Sequence, residues 1–411
     1  MSANGPISYD DAIARIGLAR SGGMNADEVE LSIVIPCLNE SETIGICVEK
    51  AMRALRENNI VGEVLVADNG STDGSRELAT ERGARVVPVP QKGYGHALMG
   101  GIAAARGKFV LMGDADDSYD FLEAPRFLEP LRNGADLAQG CRLPSGGGTI
   151  KPGAMPFLHY WLGNPVLSFL VRLMFRSPIH DVYCGLRAFR KAWYDTLDMR
   201  CTGMEFATEM IIKASVYPSR IAEVTTTLYP DGRVKGRRHL RTFRDGWRTL
   251  RFFLVSSPRW LFWYPGLVLI VLGLLGYALA MPATKIMGAT LDAHTLLVAS
   301  LLLLVGHQSL GFGLFARVFA AAEGLLPSNP KVTWFQKWFN LERGLILGSI
   351  GMVSGASLLG AALWQWWSAD FGPLDYAQTM RYVIPGVTLI ALGFQTMLAS
   401  FFLSILGLRR R

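Results

Sequence analysis

Apolar and polar positions divide the chain in two. Up to Trp260, short β-branched runs alternate with helix-patterned stretches, and beyond it the chain is written in long apolar blocks. In the first part, Leu31-Ser-Ile-Val-Ile-Pro36 predicts a buried strand closed by a turn. Asn39-Glu40-Ser41-Glu42 then opens a helix reaching about Glu57, with Asn39 or Ser41 as its N-cap. Glu63–Asp68, Arg85–Val89 and Lys108–Gly113 predict three more strands, with helices after Gly74 and over Tyr94–Arg106. This alternation argues for a largely parallel α/β sheet covered on both faces. Ligands bind such sheets beyond the carboxyl ends of the strands. Three strands end in polar or acidic residues, at Asn39-Glu40, at Asp68 with Asp73, and at Asp114-Ala115-Asp116, so one carboxylate-lined crevice is expected.

In the second part, Leu261–Ala280, Thr295–Phe315, Gly344–Trp366 and Tyr382–Leu408 are candidate membrane spans. Each reaches the roughly 20 apolar residues that carry a helix across a hydrocarbon core of about 30 Å. Among Asp, Glu, Lys, Arg and His, these spans contain only His307. Lys331, Lys337 and Arg343 fall in the middle loop, and Arg409-Arg410-Arg411 ends the chain. The other loops set Lys285 and Arg381 beside Asp292, Asp370 and Asp375. The positive-inside rule therefore puts the N-terminal domain, the middle loop and the C-terminus in the cytoplasm. Gly344-x-x-x-Gly348 and Gly351-x-x-x-Gly355 predict close helix packing, within the chain or between protomers of a homo-oligomer.

Between the two parts, residues 239–260 read as a basic interfacial helix. Arg241, Arg244, Arg248 and Arg251 share one face, with Trp247, Leu250, Phe253 and Leu254 available to the other. His159–Phe175 is rich in apolar residues and suits either the membrane interface or a helix packed on the sheet. Residues 1–28 form a polar tail with no apolar core of a secretory signal. The domains expected are thus 1–28, 29–238, 239–260 and 261–411. Five cysteines without a C-x-x-C pair read as reduced thiols. The net charge of +7 is densest over Arg233–Arg259, which favours lipid headgroups or a phosphate-bearing lipid over nucleic acid.

Asp114-Ala115-Asp116-Asp117 leaves the end of a buried strand, and two carboxylates one residue apart can face one hard cation that neutralises a diphosphate. Asp68 is expected to accept from a base or ribose, whereas Asp73 before Gly74 equally suits a turn or N-cap. Lys92-Gly93-Tyr94-Gly95-His96 puts glycines at a helix start, where free N–H groups favour anions.

The set Ile35-Pro36-x-x-Asn39-Glu40, Val66-x-Asp68-x-Gly70-Ser71-x-Asp73-Gly74, Gly93-x-Gly95 and Asp114-Ala115-Asp116 resembles family 2 glycosyltransferases of the GT-A fold. Gly140-Cys141-Arg142, Asp181-x-x-Cys184-Gly185-Leu186-Arg187-Ala188 and Glu205-Phe206-x-x-Glu209 are similar to polyprenyl (dolichyl) phosphate mannose and glucose synthases, over about residues 30 to 260. The resemblance implies a GT-A catalytic domain, Rossmann-like with a mostly parallel sheet, followed by a four-helix transmembrane domain in a bacterial or archaeal plasma membrane. It implies inverting transfer from a UDP- or GDP-sugar to a polyprenyl phosphate. Pro36, Asn39, Glu40, Asp68, Asp73, Gly95, Asp114 and Ala115 would hold the nucleotide, and Asp114 and Asp116 would hold Mg2+ or Mn2+. Asp116, Asp117, Arg142 and Arg233 would serve the reaction, with Arg142, His159, Arg233 and Lys235 on the lipid phosphate. Ser118 stands where the mannose synthases carry a metal-reaching Gln.

Other classes fit less well. A processive synthase would carry Q-x-x-R-W, and Ser256-Ser257-Pro258-Arg259-Trp260 lacks the Gln. A four-span transporter with a sensor domain would need charged groups along the spans. A glycolipid or diacylglycerol acceptor stays open.

Overall fold

The computed structural model describes residues 29–233, 242–286, 288–323, 326 and 339–407. They form two compact units, the first ending at Phe253 and the second beginning at Leu254.

In the first unit, β1 (Leu31–Cys37) is buried almost throughout, as its β-branched run requires. The helix α1 (Ile44–Glu57) lays Ile44, Cys47, Val48, Ala51 and Leu55 inward, a three-and-four spacing that makes one apolar stripe. The strands β2 (Gly62–Asp68), β3 (Arg85–Pro88) and β4 (Phe109–Met112) alternate with α2 (Ser75–Glu81) and α3 (Tyr94–Ala104) as the pattern predicts. After them come α4 (Ala124–Arg132), β5 (Leu137–Cys141), α5 (Asn164–Phe175), β6 (Arg187–Arg190), α6 (Phe206–Val216) and β7 (Ile221–Thr225). One sheet runs β3-β2-β1-β4-β6-β5-β7, parallel except for β6, which is antiparallel to β4 and β5. Apolar cores cover both faces.

Register aligns the strand ends that matter. Cys37 lies beside Asp68, and Val34 beside Met112, so the loops after β1, β2 and β4 leave one edge together. The first two loops are knitted by Asn39 N–H to Ser71 Oγ, Thr72 N–H to Asn39 Oδ1 and Glu40 N–H to Ser75 Oγ, each 2.9 Å. The expected N-cap is corrected by this. Asn39 is left-handed (φ 59°) and spends its side chain on the neighbouring loop, while α1 begins after Thr43.

The packed-helix alternative for His159–Phe175 holds on one face of the segment. Ser168, Val171 and Phe175 are buried, while Val166, Phe169 and Leu173 are exposed, as are Phe157, Trp161 and Leu162 before them. The helix α7 (Thr242–Ser256) buries Phe253 against Phe175, with ring centroids 6.4 Å apart. Trp247, expected opposite the arginines, is exposed together with Arg248 and Arg251.

The second unit contains α8 (Tyr264–Ala280), α9 (Ala293–Ala322), α10 (Leu341–Ser368) and α11 (Tyr376–Leu406). These helices, the first extended back to Arg259, are long and apolar enough to cross a membrane and coincide with the four expected spans. A Cβ on Gly355 would collide with the Gly386 carbonyl, and one on Gly348 would stand 2.7 Å from that of Gly393. The small-residue rows of α10 are therefore used within the chain, against α11. His307 Nε2 lies 3.2 Å from Thr396 Oγ1, a link between α9 and α11 that gives it a packing role.

Candidate active site

The acidic turn leaves β4 at the edge where the three loops meet. Asp114 Oδ1 accepts from the Tyr94 hydroxyl at 3.0 Å. Its other oxygen fills the space beside Gly185, where a Cβ would collide with it, so that glycine is required by close approach. Burial, and then the charge of Asp116, push the Asp114 carboxyl up to about 6. Asp116 Oδ1 accepts from the Ser118 N–H (3.1 Å) and hydroxyl (2.6 Å). Ser118 thus orients Asp116, the role left to it where a longer side chain would reach a metal. Asp117 is left-handed (φ 58°) and turns to Lys50, 2.8 Å away.

Two crowded carboxylates that resist sharing negative charge are a suitable donor set for a divalent cation. Among the described residues no group of three His, Cys, Asp or Glu side chains converges. A cation held by Asp114 and Asp116 would take its remaining ligands from diphosphate oxygens and water, as small hard cations do.

A strap crosses this turn. Tyr229 N–H donates to the Ser118 carbonyl (2.9 Å) and Gly232 N–H to that of Asp116 (3.0 Å). It delivers Arg233, whose guanidinium meets both oxygens of Glu40, reaches Asp231 Oδ2 at 3.0 Å and lies 3.9 Å from Asp116 Oδ2. The structure therefore brings Asp114, Asp116, Glu40 and Arg233 together.

Other expected residues are held by bonds within the fold. Asp68 is fully buried; Oδ1 accepts from Ser71 N–H, and Oδ2 from Gly70 N–H and Arg76 Nε. Burial raises its pKa, but the bonds from Ser71, Gly70 and Arg76 outweigh that and hold it below the ordinary value. Its carboxylate shapes the loop that follows β2. Asp73 likewise accepts from Ser75 and from Ser41 N–H (3.0 Å), the turn role. Gly95 lies against another loop of the same domain. A Cβ there would lie 2.5 Å from the Cys201 carbonyl, and His96 N–H donates to Thr202 O (3.1 Å), so the glycine admits a close approach of the 201–202 backbone.

Arg142, expected on the lipid phosphate, is engaged on all three guanidinium nitrogens. Arg142 is buried, with Nε and Nη2 on the two oxygens of Asp181 (2.7 and 2.9 Å) and Nη1 on Tyr119 OH (3.1 Å). Pro36 sits within β1 opposite Ala67, and Ala115 is buried with its carbonyl facing Cys47 Sγ. His159 opens a π-helical turn, His159–Gly163, before α5. Lys235 lies outside the described residues.

Four residues of the site had no assigned role in sequence. Tyr94 belongs to the glycine-rich stretch, yet its hydroxyl serves Asp114; burial and that charge hold its pKa high, so it remains a donor. Tyr119 OH accepts from Arg142 and from Gly185 N–H (2.9 Å). Arg187 is fully buried opposite Met112 on β6, donates to the carbonyls of Ala207 and Cys184 (2.8 Å each), and leaves Nε unbonded among the described residues. Glu209 pairs with Lys213 (2.8 Å) and caps the N–H groups of Arg200 and Cys201, fixing the loop that α3 leans on. Arg187 and Glu209 stand in quoted motifs, but only the antiparallel strand and the loop path assign them these neighbours.

Comparison with known proteins agrees with this architecture. Residues 32–198 match the model described as Glycosyl transferase family 2, and residues 314–407 the Glycosyltransferase family 2 C-terminal transmembrane region. The chain is 39% identical over 379 residues to the low-salt glycan biosynthesis hexosyltransferase Agl6 of Haloferax volcanii, covering 92% of this chain and 89% of that one. A dolichyl-phosphate hexose transferase of the same organism is 30% identical over 196 residues, 47% of this chain and 81% of its own. The undecaprenyl-phosphate 4-deoxy-4-formamido-L-arabinose transferase of Pectobacterium atrosepticum is 27% identical over 205 residues, 48% and 59% of the two chains. A GT-A-like domain followed by four candidate membrane helices, matched over nearly its whole length by a hexosyltransferase, makes this chain a glycosyltransferase that belongs to glycosyltransferase family 2.

Proposed function

We propose that the chain transfers a hexose from a UDP- or GDP-sugar to a polyprenyl phosphate at the cytoplasmic face of a membrane, with inversion. The observation that carries this is the Asp114–Asp116 pair with the Arg233 guanidinium 3.9 Å from it, in a chain with four apolar spans. The names of two relatives, which specify dolichyl and undecaprenyl phosphate, support a lipid-phosphate acceptor. Basic residues in the middle loop and at the C-terminus support the cytoplasmic placement.

In this mechanism Asp114 and Asp116 would hold Mg2+ or Mn2+. Bound there, the cation would neutralise charge on the leaving diphosphate. Tyr94 and Ser118 keep the two carboxylates aimed. Arg233 receives the acceptor phosphate through a planar set of donors. A phosphate monoester, with its second pKa near about 6, is largely dianionic at neutral pH and needs no strong base. Lys50 neutralises Asp117, which fits a supporting place for that residue rather than proton transfer.

Calorimetry with UDP- and GDP-sugars, with and without Mn2+ or Mg2+, names the donor. Incubating the donor so identified with polyprenyl phosphate or diacylglycerol then names the acceptor. The expected result is metal-dependent binding of one nucleotide and a sugar-phosphate-lipid product. A product found only on diacylglycerol would overturn the acceptor assignment.

The exposed row Phe157, Trp161, Leu162 and Phe169 suits the bilayer interface, where an amphipathic segment buries one face and leaves aromatics to the headgroups. Trp161→Glu with Phe169→Glu is expected to lower transfer to membrane-embedded acceptor roughly tenfold. Transfer to a short-chain, water-soluble acceptor would change little. Equal loss on both acceptors would remove the membrane role.

A further inference from the structure

Several polar groups of the apolar helices pair inside the chain. Tyr277 OH lies 2.7 Å from Ser300 Oγ, which accepts from Thr388 Oγ1 at 2.9 Å, and Ser309 Oγ donates to the Phe262 carbonyl at 2.9 Å. Gln308 differs. It is exposed and has no hydrogen-bond partner among the described residues. It stands fifteen residues after Ala293 and fourteen before Ala322, the middle of α9. At about 1.5 Å per residue, roughly 20 Å of helix extends on either side of it. In a hydrocarbon core of about 30 Å, a group at this depth meets no water for its donors or its acceptor. Its neighbours on the same face, Val298, Leu301, Val305 and Phe312, are exposed and apolar, and with Gln308 they recur at steps of three and four. The glycines of α9 divide accordingly. A Cβ on Gly306 would stand 2.8 Å from the Gly266 carbonyl, and one on Gly313 would collide with Trp263, so both are used within the chain. A Cβ on Gly311, one turn beyond Gln308, would meet nothing closer than Phe315 of its own helix, at 3.9 Å.

An unmet amide at mid-bilayer depth, beside a glycine open to the outside, calls for a second helix at close approach. We propose that α9 is a self-association face, on which two copies of the chain pack α9 against α9 about a two-fold axis along the membrane normal. The backbones come close at Gly311, and the Gln308 amides of the two copies bond to each other. The occupant is a second copy because a carboxamide carries both donors and an acceptor, and so complements itself without any charge on the partner. Copies inserted with one topology run their α9 helices parallel, and a two-fold axis then brings identical residues to the same depth. The glycine rows of α10, from which self-association was expected, are already spent on α11.

The test uses the full chain in liposomes over a series of lipid-to-protein ratios, with the dimer fraction read by single-molecule photobleaching. Gln308→Leu, which replaces the amide with an apolar group of similar size, is expected to weaken dimerisation about tenfold, the scale of one interhelical hydrogen bond in a membrane. Gly311→Leu, which blocks the close approach, should weaken it too. Neither should lower the melting point, because both positions face outward. Val305→Cys and Phe312→Cys should cross-link into a dimer on oxidation. Val353→Cys, on the exposed face of α10, should stay at the background of the five native cysteines. A wild-type chain that remains monomeric throughout the series would overturn the proposal, and so would a dimer constant unchanged within about twofold in Gln308→Leu. Cross-linking through Val353→Cys alone, or capture of a different membrane protein at Val305→Cys in place of a second copy, would overturn it as well.

Discussion

Asp116→Asn is expected to lower sugar transfer by roughly 10²–10³-fold, the scale on which single preorganised electrostatic groups act in catalysis. The substitution is nearly isosteric. The amide oxygen it introduces can still accept from the Ser118 N–H and hydroxyl, so the turn keeps its shape while the charge disappears. Full activity in this variant, assayed on membranes with labelled donor, would sink the assignment of Asp116 to the cation. Asp114→Asn should be equally inactive but should also change stability. Its carboxyl sits at about 6 against an ordinary 3.8, so the folded chain binds that proton more tightly than the unfolded one. Protonation therefore favours the fold, and a destabilising contribution of up to about 3 kcal/mol develops as pH rises from 3.8 through 6. In chelator-treated protein, Asp114→Asn should melt higher than wild type at pH 7.5, with the gain gone near pH 4. A lower melting point at pH 7.5 would contradict the crowding of Asp114 by burial and Asp116.

Much of this site could be read along the chain because a parallel sheet converts sequence order into geometry. Asp114 follows a strand that lies beside β1, and β1 lies beside β2, so three loops distant in sequence had to meet. The four helices long and apolar enough to cross a membrane, among the described residues, were legible for a similar reason, since length and apolarity define them. What stayed hidden depends on who faces whom. Nothing in the order of residues says that Asp68 is saturated by Gly70, Ser71 and Arg76, because an aspartate ending a strand looks the same whether it serves its loop or a ligand. Gly93 and Gly95 looked like an anion cradle, yet the 201–202 backbone fills it through a loop that Glu209 fixes from α6. The antiparallel insertion of β6 between β4 and β5 was not readable either, and it sets Gly185 and Arg187 beside Asp114 and Met112.

Asp181→Ala should be the most damaging single change to the first unit, costing about 3–5 kcal/mol because it strands a buried guanidinium. Asp181 is fully buried, and its two oxygens accept from Arg142 Nε, Nη2 and N–H, with Tyr183 N–H at 3.2 Å. A melting point lower by roughly 10 °C is the expected reading for a unit of this size. Replacing both partners with uncharged residues, Arg142→Met with Asp181→Asn, should recover much of that loss, since no charge is then left unpaired and the amide oxygen still accepts from the backbone N–H groups. The consequence for activity runs through Tyr119. Arg142 Nη1 holds the Tyr119 hydroxyl, which accepts from Gly185 N–H, and Gly185 is the residue against which Asp114 rests. The stable double variant should therefore still transfer sugar poorly, with kcat falling more than acceptor KM rises. If Arg142 gripped the lipid phosphate directly, the order would reverse. Arg142→Gln would then raise acceptor KM strongly with little change in melting, and Asp181→Asn would be nearly silent.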